Sequence, residues 1–245
     1  VIAFAPTMEV CLEVPSVQLV ANEVNERPGV GSFSGVGVSA TGIFRPLSAG
    51  LGTHAVKYTF TTTYGCTLEK TQLITVNETP TIDAGEDKVI LEGEKGILSA
   101  IAYGQNLTYK WSPAKGLDKD DVLNPTVTPT EDMVVYTLTV TSDKGCTQTD
   151  QVKVKMLRHL EIPNTITPNG DGVNDEWKIK HIEDYPNATV EIYDRSGQNI
   201  FKSKGYHVPF NGTYNNSPLP VATYYYIINL AIGKKPITGN LTIIR

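Results

Sequence analysis

The chain alternates apolar and polar residues with a period of two far more often than it spaces apolar residues as a helix would. Tyr58-Thr-Phe-Thr-Thr-Thr reads as a strand, and so does Tyr136-Thr-Leu-Thr-Val-Thr, each placing one residue type on one face. Each is followed by a Gly-Cys dipeptide, Gly65-Cys66 and Gly145-Cys146, and then by a second alternating run, Leu73 to Val76 and Val152 to Val154. The glycine supplies the turn, so each copy predicts a hairpin, and the two hairpins repeat at about 80 residues, a domain-sized period. Val89 to Leu91, Gly96 to Ala100 and Leu107 to Trp111 add short strands separated by Gly, Pro and Asp clusters. Strands at that spacing predict a sandwich of about seven, with Trp111 as its buried aromatic rather than a sugar-stacking platform.

Boundaries fall where proline interrupts the pattern, at Asn77-Glu-Thr-Pro80 and at Leu157-Arg-His-Leu-Glu-Ile-Pro163. The expectation is three all-β units in a row, 1–78, 79–157 and 158–245. In the last, Asp194-Arg-Ser-Gly197 joins two strands, Asn211-Gly212 is a turn dipeptide, and Gly233 closes the final hairpin, whose second strand runs from Thr238 to Ile244. Tyr224-Tyr-Tyr226 lies on a strand expected to be central, with Tyr224 and Tyr226 on one face and Tyr225 on the other. The exposed aromatic, together with Tyr206 or Tyr214, is either a recognition patch or simply part of the core packing.

Composition narrows the chemistry. A net charge of -5 offers no basic field for nucleic acid, and no apolar run reaches the roughly 20 residues of a spanning helix, so soluble domains are expected. The chain starts at Val1 without the basic start of a signal peptide and reads as a piece of a longer protein. Four histidines, His54, His159, His181 and His207, form no pair at metal spacing, no Ser or Cys has a nucleophile's context, and acidic pairs such as Asp120-Asp121 and Glu131-Asp132 read as solvated loop charges. An enzyme is therefore not expected. The loop Asn169-Gly-Asp171-Gly-Val-Asn174-Asp175 does bring four oxygen-bearing side chains within seven residues. Asn169, Asp171, Asn174 and Asp175 could ligate calcium, although the distal bidentate Glu of an EF-hand is missing; the alternative is a set of Asx turns.

Family resemblance adds to this reading. Gly35-Val-Gly-Val-Ser39, Gly42-Ile-Phe-Arg-Pro46 and Ala49-Gly-Leu-Gly-Thr-His54 resemble immunoglobulin-like repeat modules of Bacteroidetes surface proteins. Asp83-Ala-Gly-Glu-Asp87, Trp111-Ser-Pro113 and Asn124-Pro125 resemble their PKD-like modules. From Ile162, the segments Thr167-Pro-Asn-Gly-Asp-Gly172, Val190-Glu-Ile-Tyr-Asp-Arg-Ser-Gly197 and Leu219-Pro-Val-Ala-Thr-Tyr-Tyr-Tyr226 resemble the gliding-motility-associated, type B sorting domain of type IX secretion substrates. Ser196 and Phe210-Asn-Gly212 depart from that family, which often has Trp at the first position and Trp-Asp-Gly at the second.

The resemblance implies tandem immunoglobulin-like β-sandwiches ending in a folded export signal, displayed at the cell surface as the end of an adhesin of the SprB-like kind. It implies as partners an outer-membrane barrel of the PorP/SprF-like kind and the type IX translocon. The residues read by them would be Thr167, Pro168, Asn169, Gly170, Asp171, Gly172, Arg195, Gly197, Leu219, Pro220, Tyr225, Gly239 and Arg245. It also implies a disulfide between Cys11 and Cys66, leaving Cys146 as a small buried hydrophobe. The alternative function is carbohydrate or surface binding by the upstream modules through loops or exposed aromatics, which glycan binding lost on changing Trp111 or Tyr103 would favour.

Overall fold

The computed structural model describes residues 1–5 and 7–245. It is nearly all β, with tandem immunoglobulin-like sandwiches; among the described residues helix is confined to one turn at Pro46–Ala49 and a 3-10 turn at Ile182–Asp184. The chain separates into two compact units. One comprises Val1–Lys88, Lys95–Thr128 and Met133–Val154, the other Val89–Glu94, Pro129–Asp132 and Lys155–Arg245.

In the first unit, a four-stranded sheet runs in the order Met8–Cys11, Thr67–Asn77, Gly52–Thr62, Gly29–Ser34, its first pair parallel and the others antiparallel. The period-two pattern of the Gly52–Thr62 strand is realised as Val56, Tyr58 and Phe60 turned inward onto Phe44 and Ile74. Ile2–Phe4 pairs with Ala21–Glu23, and Val17–Gln18 with Ile43–Phe44, to cover that face. The same plan recurs with Lys88–Leu91, Thr147–Leu157, Met133–Thr141 and Thr108–Ser112 in one sheet, and with the pairs Thr81–Asp83/Ile101–Tyr103 and Gly96–Ile97/Thr126–Val127. Trp111 is 1% exposed in this second core, where its indole N–H donates to the Val122 and Leu123 carbonyls. It is a core residue and cannot stack on a sugar.

The disulfide differs from expectation. Cys11 is bonded to Cys146, and Cys66 is free and exposed. Register explains why Cys11 and Cys66 cannot meet. Cys11 lies beside Asn77 in the parallel pair, whereas Cys66 precedes the other end of the same Thr67–Asn77 strand. Eleven extended residues at 3.3 Å each separate the two ends by about 36 Å. Cys146, expected as an unpaired core residue, is buried because it is half of that bond.

The second unit holds one five-stranded sheet in the order Thr165–Ile166, Ile237–Ile243, Ala222–Asn229, Thr189–Tyr193, Asn199–Lys204. The first pair is parallel and the rest are antiparallel, so the last strand is held on both edges and Ala222–Asn229 is central. Its inner face packs Val190, Ile192, Tyr224, Ile228, Leu241 and Ile243 against a covering layer that is mostly irregular. Two side chains organise that layer. Trp177, fully buried, donates from its indole to the Pro163 carbonyl at 2.6 Å. Tyr206, 5% exposed, donates its hydroxyl to the Trp177 carbonyl and accepts the Phe210 N–H. Burial raises the Tyr206 pKa well above the usual phenol range, so it stays a donor. Tyr206 is therefore not available for a surface patch.

Candidate functional site

The five-stranded sheet turns its second face outward. Period two sends Tyr225 and Ile227 out from the central strand, while Tyr224 and Ile228 go in. Antiparallel register sets Tyr193 directly opposite Tyr225 and Glu191 opposite Ile227; on the other side Asn240 and Thr238 face the same two residues. Lys202 reaches Glu191 at 2.7 Å, and the Tyr193 hydroxyl donates to the other Glu191 oxygen at 2.8 Å. Lys202 first, and Tyr193 second, hold the Glu191 carboxyl below its ordinary range. The same carboxylate raises the pKa of both Lys202 and Tyr193. The centre of the face is thus aromatic and aliphatic, with an ion pair on one flank.

The turn Asp194–Gly197 closes one end of this face. Asp194 accepts the Ser196 hydroxyl at 2.7 Å and the Ser196 and Gln198 amides, and its pKa is lowered by these donors, Ser196 first. That locked turn leaves Arg195 exposed. Arg195, Gly197, Tyr225 and Gly239 line one shallow depression together with Tyr193 and Asn240, so four of the residues expected at the recognition surface come together. Gly239 differs from the others in what it does there. It stands opposite Tyr226, and a Cβ at position 239 would lie 2.3 Å from the Tyr226 hydroxyl oxygen. Gly239 is the seat of an inward-facing ring and adds only backbone to the depression.

Of the remaining expected residues, Pro168, Leu219 and Arg245 lie together around Gly212. Gly212 approaches Pro168 so closely that a Cβ would meet the proline ring at 2.9 Å. Its carbonyl accepts the Leu219 N–H, and the Leu219 carbonyl accepts the Arg245 guanidinium at 2.7 Å. Pro220 offers its carbonyl to the Tyr224 hydroxyl. The turn Asn215-Asn216, both residues in the left-handed region, joins Thr213–Tyr214 and Ser217–Pro218. Asn211-Gly212, expected as a turn, is one: Gly212 is left-handed and Asn211 accepts the Thr213 amide; the Asn215-Asn216 turn carries no glycine to announce it. Tyr214, expected beside Tyr225, instead accepts from Gln198.

In the Thr167–Asp175 loop the oxygens considered for calcium are aimed at N–H groups. Asp175 accepts the amides of Asn169, Gly170 and Gly172 at 2.8–2.9 Å, and these donors, Gly170 first, hold its carboxyl below the usual range. Asn169 accepts the Asp171 amide, Asp171 accepts the Val173 amide, and the Asn169 amide group donates to Asp171. Asn174 sits in the left-handed region with its carbonyl accepting the Thr167 N–H. A calcium ion needs six to eight oxygens turned on one point. Among the described residues no group of three or more His, Cys, Asp or Glu side chains is placed to hold a metal. The donor set as folded fits a self-closed turn and does not fit a cation cage.

One further device was not visible in the sequence. Arg158 grips Asp184 through Nε at 2.8 Å and Nη2 at 3.1 Å, and Tyr185 donates to the Arg158 carbonyl. The partners lie 26 and 27 residues apart, so no local motif announces them.

These surfaces define a tandem-sandwich protein whose last unit offers an outward sheet face and a looped end, with Tyr206, Tyr224 and the carboxylates of Asp175 and Asp194 committed to the fold. Residues 160–243 match the family model described as the CHU_C type IX secretion signal domain. A signal of that description implies export by the type IX machinery and a surface or extracellular location. No curated protein matches the chain.

Among solved structures, the N-terminal eight Ig domains of Down syndrome cell adhesion molecule isoform 1.30.30 align over 100% of this chain and 42% of their own, at 14% identity and a TM-score of 0.41. This chain therefore spans less than half of that relative. Fibronectin(III)-like modules of Clostridium thermocellum CbhA align over 64% of this chain and 95% of theirs, at 13% identity and 0.34. The D00-D0 domain of intimin aligns over 68% and 100%, at 10% and 0.38. These likenesses are too distant to carry an argument, and the sandwich assignment rests on the sheets themselves. No helix among the described residues is long and apolar enough to cross a membrane.

Proposed function

We propose that residues 158–245 are a type B export signal read as a folded surface, and that the two preceding modules, 1–78 and 79–157, are the stalk of a surface-displayed adhesin. The observation that carries this is the match of residues 160–243 to a type IX secretion signal domain. Two features of the unit support a surface role. Its exposed aromatic Tyr225 and guanidinium Arg195 share one depression, and the Leu219, Pro220 and Arg245 cluster forms a second patch. Aromatic and arginine side chains are the usual anchors of a protein interface. The partner in this reading is an outer-membrane barrel of the PorP/SprF-like kind acting with the translocon.

The test is a reporter carried ahead of the full chain, compared with one carried ahead of a chain ending at residue 157, in a bacterium with type IX secretion. The first should reach the cell surface and the second should stay in the periplasm. Equal distribution of the two would overturn the proposal.

A further inference from the structure

Cys66 and Cys146 occupy the same place in two copies of one hairpin. In the first copy Thr62 N–H donates to the Cys66 carbonyl, Gly65 N–H to the Thr62 carbonyl, and Cys66 N–H to the Thr62 hydroxyl at 3.1 Å. In the second Ser142 N–H donates to the Cys146 carbonyl, Gly145 N–H to the Ser142 carbonyl, and Cys146 N–H to the Ser142 hydroxyl at 3.2 Å. Gly65 and Gly145 share the left-handed conformation, with φ of 83° and 76°.

The partners differ completely. Cys146 is fully buried in its bond to Cys11, at the end of the first module's strand that lies beside Asn77. Around it Ser142, Asp143 and Lys144 of the tip line a cleft with Asn77, Glu78 and Pro80. Cys66 is exposed, and Tyr64, the counterpart of Lys144, is 91% exposed. A large aromatic and a thiol thus stand bare at a tip whose repeat is covered and cross-linked.

We infer that Cys66 is the receiving half of the same staple, and that its partner is a cysteine at the Cys11 position of another module of this kind placed ahead of residue 1 in the longer chain. The Cys11–Cys146 bond spans 135 residues, so the partner lies about that far before Cys66 at the module period. In the step, the two thiols lose two electrons and two protons to a disulfide-bearing oxidant, which leaves as two thiols. A series of such bonds ties the tip of each module to the first sheet of the one before it.

Residues 1–79 duplicated ahead of Val1 supply such a module, because they bring Ile2 to the position that Thr81 holds. The longer chain has five cysteines, the three of the chain plus a second Cys11 and Cys66. After equilibration in oxidised and reduced glutathione and denaturation without reductant, maleimide mass-tagging counts its thiols. Two staples leave one thiol (5 − 4), and Cys66→Ser in the original copy raises the count to two. Three thiols in the duplicated chain would overturn the inference, as would a count that Cys66→Ser in the original copy leaves unchanged. The 245-residue chain, carrying one thiol at Cys66 throughout, is the reference.

Discussion

Gly239 was expected at a recognition surface, and its position beneath Tyr226 makes a sharper prediction about stability. In Gly239→Ala the new Cβ would stand 2.3 Å from the Tyr226 oxygen and 2.5 Å from its Cζ, where ordinary contact begins at 3.4 Å. The ring must withdraw by about 1.1 Å, the difference between 3.4 and 2.3 Å. It cannot do so freely, because its centroid lies 5.0 Å from that of the fully buried Trp177. Overpacking of this kind costs about 1–3 kcal/mol, and losing part of an aromatic pair costs about 0.5–1.5 kcal/mol more. We expect a loss of about 2–3 kcal/mol. At roughly 4–8 °C per kcal/mol for a unit of this size, the melting temperature of the C-terminal unit should fall by roughly 10–20 °C.

The assay uses the full chain with Trp111→Phe, so that fluorescence reports Trp177 alone, the chain's other tryptophan. Tyr226→Ala should remove the conflict, so that Gly239→Ala costs almost nothing on that background and the two changes are strongly non-additive. A melting shift below roughly 2 °C, or simple additivity, would refute the seat-and-ring argument and return Gly239 to the recognition surface.

Two further outcomes follow from the same unit. Arg195→Glu combined with Tyr225→Ser should leave stability within about 0.5 kcal/mol, because both side chains face solvent, yet reduce surface delivery of a reporter; unchanged delivery in a surface-labelling assay would show that the sheet face is not read. Folding lowers the Asp184 pKa, chiefly through the hydrogen bond from Arg158, so this pair adds stability above the ordinary carboxylate range and loses it as pH falls through the lowered value. Asp184→Asn should therefore flatten the decline of the denaturant midpoint below about pH 4, and an unaltered pH profile would show that the clasp contributes nothing.

What the sequence disclosed depended on whether the signal was local. Alternation in Tyr58–Thr62 and Tyr136–Thr141 named strands and faces, because period two is a property of neighbours; the same rule separated Tyr224 from Tyr225 correctly. The loop from Asn169 to Asp175 was legible as oxygen-rich, but composition cannot distinguish oxygens turned on a cation from oxygens turned on amides. That choice is made by the left-handed turns at Gly170, Gly172 and Asn174, which bring the loop's own N–H groups onto Asp175.

The disulfide failed for a different reason. Pairing Cys11 with Cys66 treats a module as closed, yet a parallel partner strand carries Cys11 to the end of the sheet opposite its own hairpin tip, where the next module's tip arrives. The closest cysteine in the text was therefore the farthest along the strand. Strand direction, which alternation does not encode, decided which thiols met.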